Sequence, residues 1–101
     1  MKLKDKIAIV TGGADGIGKA TAVKFAAEGA TVIIWDLNAE KGAETVKEIT
    51  ENGGKVSFAK VNTSVYAEVE AATKAVVQEF GTLDIIINNA GITRDASIKK
   101  M

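Results

Sequence analysis

Three glycines, one aspartate and a pair of asparagines carry the chemistry open to this chain. Gly12, Gly16 and Gly18 stand in Thr11-Gly12-Gly13-Ala14-Asp15-Gly16-Ile17-Gly18, after the apolar run Ile7-Ala8-Ile9-Val10 and before a helix-like segment over 17–28. Small and β-branched apolar residues running into glycines predict a buried strand that ends in a tight turn, after which a helix opens with its first amide N–H groups unpaired. Such an end attracts phosphate. Glycine lets a diphosphate approach the backbone where a side chain would collide, and the helix dipole adds partial positive charge there. A second apolar run, Thr31-Val32-Ile33-Ile34-Trp35, ends in Asp36, and an acid at the end of a second parallel strand can accept hydrogen bonds from an adenosine ribose. The glycine spacing is G-x-x-x-G-x-G, unlike the fingerprint G-x-G-x-x-G, so its weight comes from the context of strand, loop, helix, strand and acid.

The elements that must hold these residues follow in order. The first helix carries Gly18, Ala22, Phe25 and Ala26 at helical spacing, with Gly29 where a C-terminal cap belongs. Asn38 is the expected N-cap of a second helix with the apolar stripe Ala39, Ala43, Val46 and Ile49, stopped by Asn52-Gly53-Gly54. The mixed polarity of Lys55 to Val61 suits an edge strand. Ser64 is expected to cap a third helix with Val65, Val69, Ala72, Val76 and Phe80 on one stripe, closing at Gly81. Ile85-Ile86-Ile87 reads as a strand covered on both faces, and Asn88-Asn89-Ala90-Gly91 places amides at its carboxyl end.

This alternation predicts an α/β fold: a parallel sheet of four strands in the order 3-2-1-4 with helices on both faces, part of a doubly wound, Rossmann-type domain. The glycine loop, Asp36, Asn62-Thr63 and Asn89-Ala90-Gly91 then fall at one sheet edge, where ligands of such folds bind.

Composition narrows the function. In 101 residues, 47% hydrophobic and 26% charged, thirteen basic residues balance thirteen acidic ones, so no net field draws the chain to nucleic acid or an anionic membrane. The absence of cysteine and histidine excludes disulfides, thiolate metal sites and the commonest general base. The positive start Met1-Lys2-Leu3-Lys4-Asp5-Lys6 precedes an apolar run too short for a signal peptide, so a cytoplasmic protein is expected.

Thr11-Gly12-x-x-x-Gly16-x-Gly18 together with Asn88-Asn89-Ala90-Gly91 resembles the amino-terminal half of the short-chain dehydrogenase/reductase family. Ile92-Thr93-Arg94-Asp95 and Asn62-Thr63-Ser64 are most similar to segments of its bacterial 3-oxoacyl-[acyl-carrier-protein] reductases. The resemblance implies an NAD(P)-binding oxidoreductase of fatty acid biosynthesis. It also implies roles for individual residues: Gly12, Asp15, Gly16 and Ile17 around the diphosphate and adenosine ribose, Asp36 and Leu37 at the ribose and adenine, Asn62 and Thr63 at the adenine edge. Asn89, Ala90 and Gly91 would meet the ribose near the nicotinamide, and Asn88 would brace the sheet.

Cofactor choice has a physical argument. Asp36 and Asp15 would both face a 2′-phosphate, with no nearby Arg or Lys evident in the sequence, so NAD is preferred over NADP. The family's catalytic Ser and Tyr-x-x-x-Lys are not identifiable, since the only tyrosine, Tyr66, is followed four residues later by Glu70. Residues 1–101 therefore read as the dinucleotide-binding half of a domain whose catalytic half is absent. The alternative is a dinucleotide-binding module, natural or engineered, without turnover. An adenosylmethionine-dependent methyltransferase shares the glycine loop and the acid after the second strand, but Asn88-Asn89-Ala90-Gly91 speaks against it. Other partners are an acyl-thioester or similar small-molecule substrate if the missing half is present, and a second copy of the chain through an apolar edge left open beside Ile85-Ile86-Ile87.

Overall fold

β1 (Ile7–Thr11) is buried at every position. A strand that sheds water on both faces belongs in the middle of a parallel sheet. In the computed structural model, which describes residues 3–12, 16–88 and the backbone of 97–100, the elements after β1 alternate as the sequence predicts. They are α1 (Gly16–Ala27), β2 (Thr31–Asp36), α2 (Ala39–Glu51), β3 (Lys55–Lys60), α3 (Tyr66–Phe80), β4 (Ile85–Asn88) and β5 (Ser97–Lys100). The sheet order is β3-β2-β1-β4-β5.

The first four strands are parallel and stand in the expected order, with Ile9 between Ile33 of β2 and Ile86 of β4. The fifth is a departure: β5 runs antiparallel along β4, Ile98 opposite Ile87. A parallel neighbour needs a crossover of about a dozen residues or more, whereas an antiparallel one needs only a short return. The edge of β4 expected to lie open is thus paired with β5, which becomes the outer strand of the sheet.

Alternation along the strands divides the core. Ala8, Val10, Val32, Ile34, Ile85 and Ile87 pack beneath α1 and α2 with Ala22, Ala26 and Ile49. Ile7, Ile9, Ile33 and Trp35 pack on the opposite face with Val76 of α3 and with Val61 and Leu83. β3 lies at the sheet edge, and its mixture of exposed and half-buried residues, none fully buried, fits the edge reading. Ile86 is only half-buried, so β4 is less completely covered than its three isoleucines imply.

Two helix details correct the sequence reading. On α2 the buried residues are Gly42, Thr45 and Ile49, while Ala39 and Ala43 are exposed. The reason is steric: a Cβ on Gly42 would overlap the Phe58 ring, so the helix turns its smallest residue to β3 and packs closer than alanine allows. On α3 the N-cap is Val65, not Ser64, and no side chain caps it. The Ser64 hydroxyl donates instead to Asn62 Oδ1 at 2.6 Å. Other ends follow the sequence: the Asn38 side chain accepts from Lys41 N at the start of α2, and Gly81 closes α3 with a left-handed φ of 80°.

Candidate functional site

Asp36 and Lys60 close β2 and β3 at the same level of the sheet, Cα opposite Cα. Ile34 and Phe58, two residues before each, pack beneath α1 and α2, so Asp36 and Lys60 emerge on that same face at the carboxyl edge. Gly12 lies just past β1 beside them. Its N–H donates to Trp35 O at 2.7 Å, tying the chain to β2 before it turns away with φ 66°.

Gly16 opens α1 with φ 56°, and a Cβ built there would meet nothing within 4 Å. Open space in front of a glycine at a helix start is what a diphosphate requires, because the ligand takes the room that a side chain would fill. The first turn of α1 holds no acid, so its dipole is not offset from within that turn.

Asp36 is half-buried, and its Oδ1 accepts from the Asn38 N–H at 2.9 Å, which turns the chain into α2. A carboxylate offers about four acceptor positions, so holding the turn and gripping ribose hydroxyls are compatible. Asn62 follows β3, and its Oδ1 accepts from Ser64 N at 3.0 Å and Ser64 Oγ at 2.6 Å, while its own N–H donates to Glu68 Oε1 at 3.0 Å. These bonds hold the Asn62–Ser64 turn against the start of α3 and leave Asn62 Nδ2 to donate elsewhere. On the opposite face the Thr11 hydroxyl reaches Asn88 Oδ1 at 3.1 Å and Ile87 O at 3.3 Å, so Asn88 binds β4 to β1 as a brace would.

Gly12, Gly16, Ile17, Asp36, Leu37, Asn62 and Thr63 thus lie along one edge of the sheet, at strand ends and helix starts. Asp15, Asn89, Ala90 and Gly91 lie outside the described residues. Large apolar side chains are exposed along the same edge: Ile17 at 79%, Leu37 at 55%, Val65 at 39% and Tyr66 at 78%. Exposed apolar groups at an edge where ligands bind are surface that a flat aromatic ligand can cover. Sequence reasoning missed Val65, which it placed in the core stripe, and Lys60. The premise that no basic residue is near Asp36 is wrong, because register brings Lys60 beside it; pairing β2 with β3 from their ends would have found it.

A hollow of about 860 Å³ lies between α1 and α2 and is lined by Lys19, Val23, Ile49 and Gly53. The Lys19–Glu48 ion pair, 3.3 Å, joins the two helices across it. It meets the carboxyl edge only at Gly16.

The model of the short chain dehydrogenase family matches residues 6–101. The chain belongs to this family. Among related family members, 3-oxoacyl-[acyl-carrier-protein] reductase FabG of Thermotoga maritima is 44% identical over 101 residues, covering 100% of this chain and 41% of its own length. The (2S)-[(R)-hydroxy(phenyl)methyl]succinyl-CoA dehydrogenase subunit BbsD of Thauera aromatica is 39% identical, covering 100% and 41%. A metagenomic short-chain oxidoreductase solved in complex with NADP superposes with a TM-score of 0.87 at 32% identity, over 91% of this chain and 42% of that one. The chain spans about two-fifths of the length of the curated relatives it matches. Among the described residues no group of side chains could hold a metal ion, and no helix is long and apolar enough to cross a membrane.

Proposed function

We propose that this chain holds the adenosine diphosphate part of a nicotinamide dinucleotide, NAD(H) in preference to NADP(H), as residues 1–101 of an oxidoreductase that reduces a 3-oxoacyl thioester or similar ketone. One observation carries the reading: Asp36, half-buried at the end of β2, lies on the same sheet face as the open space in front of Gly16. A ligand whose diphosphate rests at the start of α1 has its adenosine ribose at Asp36. The amides near Gly12, Asp15, Gly16 and Ile17 would hold the diphosphate, and the Asp36 carboxylate would accept from the ribose hydroxyls. Leu37 would lie against the adenine, and Asn62 Nδ2 and Thr63 would meet its edge. Asn89, Ala90 and Gly91 would border the second ribose. When bound, the nicotinamide ring supplies the hydride.

The relatives' names support the thioester class, since one acts on a 3-oxoacyl-[acyl-carrier-protein] and another on a succinyl-CoA derivative. A proton for the carbonyl oxygen must come from a group within hydrogen-bond reach of it. Tyr66, whose hydroxyl lies 3.3 Å from Glu70 Oε2, has no lysine four residues on. That step is assigned to residues beyond this chain. For the chain taken alone, a binding module without turnover is the second reading, and the same observation at Tyr66 favours it.

A thermal-shift titration with NADH, NADPH and adenosylmethionine tests the assignment. NADH at about a hundred times its Kd adds about 2.7 kcal/mol of stability, which raises Tm by roughly 10 °C or more in a domain of this size. Tighter binding of NADPH overturns the cofactor preference; no response to either dinucleotide overturns the site. Extending the reading frame separates the two readings: a Tyr-x-x-x-Lys pair after Met101 supports the oxidoreductase, and a stop there supports the module.

A further inference from the structure

The strand order β3-β2-β1 sets three features in sequence along the carboxyl edge: the glycine turn after β1, Asp36 at the end of β2 and Lys60 at the end of β3. Neighbouring parallel strands are about 4.8 Å apart, and registered residues send their side chains to the same face. A ligand that starts at the glycine turn and places a ribose at Asp36 therefore meets Lys60 next on the side away from the diphosphate. Lys60 is exposed and makes no ion pair among the described residues.

We propose that Lys60 is a specificity-determining residue that receives a phosphate carried on the adenosine ribose, and so keeps NADP(H) within the range of a site whose Asp36 favours NAD(H). The inference rests on the dinucleotide reading above. Asp36 opposes a 2′-phosphate by like charge, and the Lys60 ammonium, a compact charge on a flexible four-carbon stem, is placed to offset that repulsion from the next strand. With the unphosphorylated ribose Lys60 has no anion of the ligand to meet, so its contribution belongs to one dinucleotide and not the other. The competing role is that of an edge guard, since a lysine on an edge strand discourages pairing with other chains. A guard has no reason to distinguish NADH from NADPH.

The test is a fluorescence titration of this chain with NADH and NADPH at low and at 0.5 M salt, for the unchanged protein, Lys60→Gln and Lys60→Arg. Lys60→Gln is expected to weaken NADPH roughly fivefold at low salt, as for a solvent-exposed charge pair, with NADH within about twofold. The difference shrinks at high salt, where exposed charges are screened, and Lys60→Arg retains most of the NADPH affinity. Equal loss of both dinucleotides, or no change in either, overturns the proposal. Unchanged protein that binds NADH but gives no measurable NADPH binding also overturns it. If neither dinucleotide binds the unchanged protein, the site reading itself fails, and this inference falls with it.

Discussion

Gly16 shows how one missing side chain serves both fold and ligand. With φ at 56°, alanine there adopts a left-handed backbone, which costs about 1–2 kcal/mol. Its methyl group meets no neighbouring part of the described residues within 4 Å, yet it enters the space assigned to the diphosphate. Gly16→Ala is therefore expected to lower Tm by roughly 4–16 °C, and to lose far more dinucleotide affinity than that strain explains, at least tenfold. Calorimetric melting beside a titration separates the two effects; a variant that keeps its affinity rules out a diphosphate at this turn. Gly16 and Asp36 were legible in the sequence because each is a local signal: a glycine before a helix, an acid closing an apolar run. Lys60 was not, because its place beside Asp36 arises from pairing between strands twenty-odd residues apart. The amide contacts of Asn62 and Thr11 were likewise hidden, since they depend on how loops close.

Among the elements, α2 shows where periodicity misleads. Counting apolar residues put Ala39 and Ala43 on the core stripe, but closeness of approach decided the face, and Gly42 took the contact with Phe58. Two effects oppose each other on changing Gly42 to alanine. The helix gains about 1 kcal/mol of intrinsic propensity, whereas overpacking costs about 1–3 kcal/mol. Overpacking is expected to win, because the collision is with a ring packed against the core and not with a flexible chain end. Gly42→Ala should lower Tm by about 4–8 °C for each net kcal/mol lost, and Gly42→Ala with Phe58→Leu should recover most of it. A single variant that melts higher refutes the tight contact. Most element ends were readable because apolar runs, caps and glycine stops agreed there, as at Asn38 of α2 and Gly81 of α3, whereas the start of α3 fell at Val65 with no side-chain cap. β5 was not, since nothing in Ser97 to Lys100 carries a strand's alternation.

Across the whole molecule, the first and fourth strands are fastened at both ends. At the entrance, Ile7 N–H donates to Asp84 Oδ2 at 2.9 Å, and Asp84 N–H returns a bond to Ile7 O at 3.0 Å. At the exit, Thr11 meets Asn88. Removing the Asp84 carboxylate leaves the amide of buried Ile7 without that acceptor, a loss of about 1–3 kcal/mol. Asp84→Ala should show the loss as an earlier melt of the entire domain, with far-ultraviolet and tryptophan signals moving together. Separate transitions would show that β4 is an independent appendage. The seam also bears on birth. Its partners are 77 residues apart, and a ribosome adding about 5–20 residues per second takes roughly 4–15 seconds to cover that interval. Throughout it the nascent first strand has one flank bare, which makes this the period when a chaperone has most to shield.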